Sequence, residues 1–256
     1  MTDGRRIWLT GASSGIGAHL AQVLLETGAR LAVSARNPQP LTALSDRYPG
    51  QVLVVPGDLT DCAQVREIGM HIAQTWGALD TVILNAGTCE YIDVDHFDAA
   101  LIERVVRTNL LATSYCIETA LPLLRAGSRP HLVGVVSSVT YWALPRAGAY
   151  GASKAGLRYL LESLRLDLAH EGMDVTLVSP GFVDTPLTEK NDFPMPMRWP
   201  ADKAASHIAQ RLEKRPLEIA FPTPFIALLR LLSSLPKRMQ VALGKRLARN
   251  GEQPHP

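Results

Sequence analysis

Short apolar runs at 7–9, 30–35, 52–56, 81–84, 131–136 and 175–178 alternate with stretches long enough for helices, such as 63–76 and 98–125. Parallel strands cannot be joined by a tight turn and need a helix-sized crossover, so this rhythm predicts βαβ units. Right-handed crossovers then place helices on both faces of the sheet. The expected fold is α/β, a doubly wound parallel sheet flanked by helices in a single domain. Two segments break the rhythm. Residues 184–200 carry four prolines among large apolar side chains, and the tail from 222 onward is apolar and then basic. The expected division is 1–221 as the main body, with 184–200 inside it, and 222–256 as a tail of the same domain.

Composition narrows the function. Apolar residues are 46% of the 256 and charged residues 20%, enough for a large core and too apolar for disorder. A net charge of +2 gives no basic surface of the kind nucleic acid requires. Cys62, Cys89 and Cys116 are far apart and form no ligand cluster, so they read as reduced core thiols, with no metal site and no disulfide framework. The N-terminal stretch has no apolar signal region, and a cytoplasmic protein is expected.

The first apolar run leads directly into TGASSGIG, Thr10 to Gly17. Gly11, Gly15 and Gly17 let the backbone turn tightly, and the helix that follows offers unpaired N–H groups and a positive dipole end to a pyrophosphate. Ser13, Ser14 and Ile16 complete this candidate cradle. The second run ends in Ala35 and Arg36. No carboxylate stands there to hold a ribose 2′-hydroxyl, whereas a guanidinium suits a 2′-phosphate, so NADP is preferred over NAD. Asp58 and Leu59 follow the third run. Asp58 either accepts from an adenine amino group or caps the next helix, a role that Thr60 and Asp61 fill better.

In AYGASKAG, Tyr150 and Lys154 stand four residues apart, one turn of helix, with only small residues between them. An ammonium beside a phenol favours the phenolate and should lower a pKa that is ordinarily near 10. Such a phenol can act as a general acid and base.

In chain order, TGASSGIG, NAG at Asn85, Ala86 and Gly87, Asn109, the pair Ser137–Ser138, YGASK, and PG at Pro180–Gly181 resemble the short-chain dehydrogenase/reductase family over about residues 5–190. The resemblance implies a Rossmann-type sheet, a nicotinamide cofactor, hydride transfer between a carbonyl and an alcohol, and a homodimer or homotetramer. It implies catalytic roles for Asn109, Ser138, Tyr150 and Lys154. Lys154 would also hold the nicotinamide ribose, and Asn109 would hold a water that links Lys154 to solvent, unless it is a buried asparagine that caps or kinks its helix. Ser138, at the strand end, is the serine expected to face the substrate oxygen, with Ser137 as the alternative, because the stretch to Tyr150 is one residue shorter than the family pattern when counted from Ser138. Backbone near Val183 would meet the nicotinamide carboxamide, and Thr185 a phosphate or the carboxamide. Leu84 stands where the family often has a further asparagine.

Phe193, Met195, Met197 and Trp199 resemble a substrate lid, which points to an apolar carbonyl or alcohol substrate or to a lid packed on its own protein. Tyr141, Trp142 and Leu144 are expected to wall the same pocket. The tail has no Asp or Glu between Glu218 and Glu252. It fits peripheral contact with a membrane surface, or packing over the pocket or a subunit interface, with packing favoured. The leading function is an NADP-dependent carbonyl reductase or alcohol dehydrogenase. The alternatives are a dinucleotide-sensing binding protein without turnover and a membrane-surface scaffold.

Overall fold

A computed structural model describes residues 4–189, 191 and 193–249, with the side chains of 246–249 left undescribed. Seven strands form one parallel sheet in the order β3-β2-β1-β4-β5-β6-β7. They are β1 (Arg6–Thr10), β2 (Arg30–Ser34), β3 (Val52–Val54), β4 (Thr81–Leu84), β5 (His131–Val135), β6 (Asp174–Pro180) and β7 (Glu218–Phe221). Six of them fall in the apolar runs. The seventh was not anticipated. At the sheet edge its burial alternates, Ile219 and Phe221 in and Glu218 and Ala220 half-out, so it carries only two core residues.

Among the described residues there are nine α-helices, in chain order α1 (Gly15–Glu26), α2 (Gln39–Arg47), α3 (Cys62–Trp76), α4 (Ala99–Val106), α5 (Ala112–Arg125), α6 (Gly148–Asp167), α7 (Ala201–Leu212), α8 (Thr223–Ser234) and α9 (Lys237–Arg249). Period-2 alternation along the buried strands feeds two cores. Ile7, Leu9, Leu31, Val33 and Ile83 pack with α1, α2 and α7 on one face. Trp8, Ala32, Val82 and Leu84 pack with α3, α5 and α6 on the other. Asp61 caps α3 by accepting from the N–H groups of Ala63 and Gln64, as expected.

The strand order reverses between β1 and β4, which leaves a crevice beyond their C-terminal ends. Every segment named for cofactor or catalysis leaves the sheet on that edge or faces it. The stretch read as one helix from 98 to 125 is instead α4 and α5 joined by a wide π-type turn, Arg107–Leu111. Such turns push one side chain out of helical register, and here it is the fully buried Asn109.

The tail does not trail away. Phe225 and Leu229 of α8 pack with Trp142, and Tyr141, Leu144, Phe182, Leu232 and, from α9, Leu243 surround them. Packing on the body of the protein therefore describes one side of this helix pair.

Candidate active site

The phosphate turn is held by the strand beside it. Asn85 Nδ2 donates to the carbonyls of Thr10 and Gly11, 3.1 Å each, while the Thr10 hydroxyl accepts from the N–H groups of Asn85 (3.0 Å) and Ala86 (3.1 Å). Gly11 has φ +68°, and a methyl on it would lie 2.8 Å from Ala86 Cα. A methyl on Gly17 would lie 2.1 Å from the Gly11 carbonyl oxygen. No other residue fits either position. Ser14 is the N-cap of α1, yet its side chain makes no cap hydrogen bond, and the first turn holds no acidic residue. The helix end is thus left with open N–H groups inside a glycine cradle, which fits a dinucleotide pyrophosphate.

The rest of the expected cofactor edge surrounds this turn. Arg36 is exposed just past β2 and has no ion-pair partner among the described residues. Asp58 accepts from the Thr60 N–H (2.9 Å) and hydroxyl (2.8 Å), so one of its oxygens is spent on its own turn. The side chains of Leu59 and Val183 lie in the two cores, which leaves only their backbone to face a ligand. Pro180 ends β6, and the Gly181 N–H bonds back to Phe221. Thr185 leans on the phosphate turn: a methyl on Gly15 would meet its Cγ2 at 3.0 Å. Ser13 and Ile16 are half-buried in the turn.

Beyond the nicotinamide edge, α6 brings Tyr150 and Lys154 to the ends of β4 and β5. Lys154 is buried and donates to the Val135 carbonyl at 2.8 Å. A methyl on Gly87 would lie 3.3 Å from Lys154 Nζ and 3.1 Å from Asn109 Oδ1, so the NAG segment touches both. Asn109 Oδ1 accepts from the Thr88 N–H (2.7 Å), and its Nδ2 donates to the Thr88 carbonyl and the Ser153 hydroxyl, 2.9 Å each. Its side chain is therefore spent on bracing the loop after β4 against α6.

The structure bears on three expectations. Ser137, the alternative to Ser138, is the serine whose hydroxyl bonds the Tyr150 phenol. Ser137 keeps an extended backbone and caps the single 3₁₀ turn Ser138–Thr140, accepting from the Val139 N–H at 3.2 Å; Ser138 has already entered that turn. Secondly, the protein surroundings alone do not make the phenol more acidic. Burial raises its pKa to about 12, against the opposing pull of Ser137. Burial likewise lowers Lys154 to about 8. Desolvation disfavours the charged form of both. Thirdly, of the three cysteines only Cys116 is a core thiol, and Cys62 at the start of α3 is half-buried. Cys89 is half-buried in the loop after NAG, close enough to feel Lys154, and burial raises its pKa.

Tyr91, in the same loop, was missed. Its hydroxyl donates to Asn191 at 2.8 Å, and its ring meets Phe193 edge-on at 5.4 Å. The 184–200 segment is thus fastened at its tip. Its neck is fastened too, where Asp184 and Phe182 pair with Trp199 through backbone bonds of 2.8 and 2.9 Å. Trp199 itself stacks on Phe221 at 5.0 Å and belongs to the anchor rather than to a pocket wall. Position in sequence was the available signal for Tyr91, four residues past Gly87.

The family model for short chain dehydrogenases matches residues 5–194. The chain belongs to the short-chain dehydrogenase family. An uncharacterised oxidoreductase of Myxococcus xanthus is 32% identical over 95% of this chain and 97% of its own length. Another, of Mycobacterium tuberculosis, is 34% identical over 92% of this chain and 95% of its own. The structure is also similar to that of Pseudomonas aeruginosa RhlG in an active-site complex with NADP, with TM-score 0.79 and 29% identity over 88% of this chain and 97% of that one. This short-chain dehydrogenase is an oxidoreductase, and the nicotinamide dinucleotide of its family fits the glycine cradle described above.

Proposed function

We propose that this short-chain dehydrogenase reduces an apolar ketone or aldehyde, or oxidises the matching alcohol, with NADP(H) as its preferred cofactor. The observation that carries the reading is that Lys154 and Asn109 converge on Gly87 of the NAG segment while the Tyr150 phenol bonds Ser137, beside an open helix end. The bound nicotinamide supplies or accepts the hydride. The chain's own residues handle the oxygen and the proton. Ser137 orients the substrate oxygen, and Tyr150 donates the proton to it in reduction or removes it in oxidation. A phenol with a pKa of about 12 is protonated near neutrality, the state that a proton donor needs. Lys154, near 8, sits within a unit or so of the working pH and can pass protons onward. Asn109 positions the loop that faces them.

Arg36 carries the NADP preference, since its guanidinium is unspent and no carboxylate competes at the end of β2. That RhlG binds NADP agrees with this. Phe193, Tyr91 and Phe182 favour an apolar substrate group beneath the lid. A cytoplasmic homodimer or homotetramer completes the reading. The test is Tyr150→Phe, with turnover followed by NADPH absorbance across a panel of ketones and alcohols. Turnover should vanish while NADPH binding, read by fluorescence titration, stays intact; retained turnover removes the acid–base role.

A further inference from the structure

One side of α8 has apolar partners, and another has none among the described residues. Counting at 100° per residue, Phe225, Leu229 and Leu232 share one side, Pro224, Ala227 and Leu231 lie more than 100° from its centre, and Leu228 stands between the two. The first three pack with Tyr141, Trp142, Leu144 and Phe182. Leu228 is 47% and Leu231 62% exposed. The polar residues Thr223, Arg230, Ser233 and Ser234 occupy the remaining sector, so these leucines form a separate apolar side that faces solvent. On α9, Val241 is 55% exposed on the side opposite Leu243, which turns inward, and Met239, 51% exposed, flanks Leu243.

Charge selects the occupant. Between Glu218 and Glu252 the chain has six basic residues and no acidic one. Arg230 is taken up by Glu218, but Lys237, Arg238 and Lys245 are exposed and pair with no carboxylate among the described residues. A second copy docked through this face across a two-fold axis would set cations against cations. An anionic lipid surface accepts both features, since leucine and methionine enter the acyl boundary while lysine and arginine remain at the headgroups. No helix among the described residues is long and apolar enough to cross a membrane, and α8, with 12 residues, is about 18 Å long. It would lie in the plane of the surface.

We propose that the outer faces of α8 and α9 dock this protein on an anionic lipid bilayer. The docked face is the back of the wall formed by Tyr141, Trp142, Leu144 and Phe182, so docking sets the substrate pocket against a source of apolar molecules. The docking itself does not depend on the proposed reaction.

Co-sedimentation of the full chain with phosphatidylcholine vesicles, with and without phosphatidylglycerol, is the test. Recovery should require phosphatidylglycerol and fall as salt is raised. The exposed pair L228S/L231S should lower partitioning by roughly tenfold for each leucine. Neutralising Lys237, Arg238 and Lys245 with glutamine should lower it by about fivefold for each cation. Both variants should keep the wild-type circular dichroism and elution volume. Wild-type protein that stays in the supernatant with phosphatidylglycerol vesicles at low salt overturns the proposal, as does recovery unchanged in both variants. A leucine variant that changes elution volume without changing recovery assigns the face to a second copy instead.

Discussion

Glu218, at the start of β7, ties the catalytic edge to the tail. One carboxylate oxygen accepts from Tyr141 Oη (2.6 Å), Arg158 Nη1 (2.8 Å) and Ser179 Oγ (2.5 Å), and the other accepts from Arg230 Nη2 (3.0 Å). The two guanidiniums each lie 5.1 Å from the Tyr141 ring centre. Burial alone would raise the pKa of this carboxyl; the bonds from Arg158, Ser179 and Tyr141 overcome it and hold the group at about 2, against an ordinary 4.5. The difference of roughly 2.5 units corresponds to about 3 kcal/mol, which solvent access around Arg230 reduces to about 2 kcal/mol. A depressed carboxyl pKa contributes stability that is present in full above the unfolded value and is lost as pH falls through the folded one. Glu218→Gln keeps the shape and removes the charge. Urea unfolding near neutral pH should show the variant less stable by about 2 kcal/mol. The gap should narrow as pH falls from about 4.5 toward about 2, where the wild type protonates and the variant has nothing to lose. A gap that is absent at neutral pH, or that stays constant through that window, refutes the reasoning.

Ser137→Ala should lower kcat by roughly a hundredfold or more, the cost of losing one donor at a developing oxyanion, whereas Ser138→Ala should stay within about threefold of wild type; steady-state kinetics of the two variants decides between them. Gly17→Ala forces a methyl to 2.1 Å from the Gly11 carbonyl oxygen, so NADPH binding by fluorescence titration should weaken by roughly a hundredfold or be lost. Arg36→Ala should weaken NADPH by about tenfold or more and leave NADH within about twofold, and an equal loss of both cofactors would remove the basis of the preference.

What could be read in advance depends on what each residue must satisfy. The phosphate turn was legible because its demands fall on the backbone: Gly11 at φ +68° and Gly17 against the Gly11 carbonyl leave no choice of residue. The interior strands were legible because both faces are buried and their apolar runs are unbroken. β7 escaped because this edge strand buries only Ile219 and Phe221, while Glu218 serves a hydrogen-bond network and Ala220 is half-buried. The choice between Ser137 and Ser138 turned on where β5 ends and the 3₁₀ turn begins, a boundary of one residue that apolar patterning does not mark. The direction of the Tyr150 shift was misread for a different reason. A neighbouring ammonium is visible in a sequence, but the desolvation that raises the phenol and lowers Lys154 arises only when β4, β5 and α6 close around them. The same reasoning bears on α8. Its sequence shows that it is apolar, but only the packed fold separates the leucines satisfied by Trp142 and Phe182 from those still facing solvent. Those remaining leucines need an explanation from outside this chain, and Lys237, Arg238 and Lys245 on the neighbouring helix give that explanation a sign.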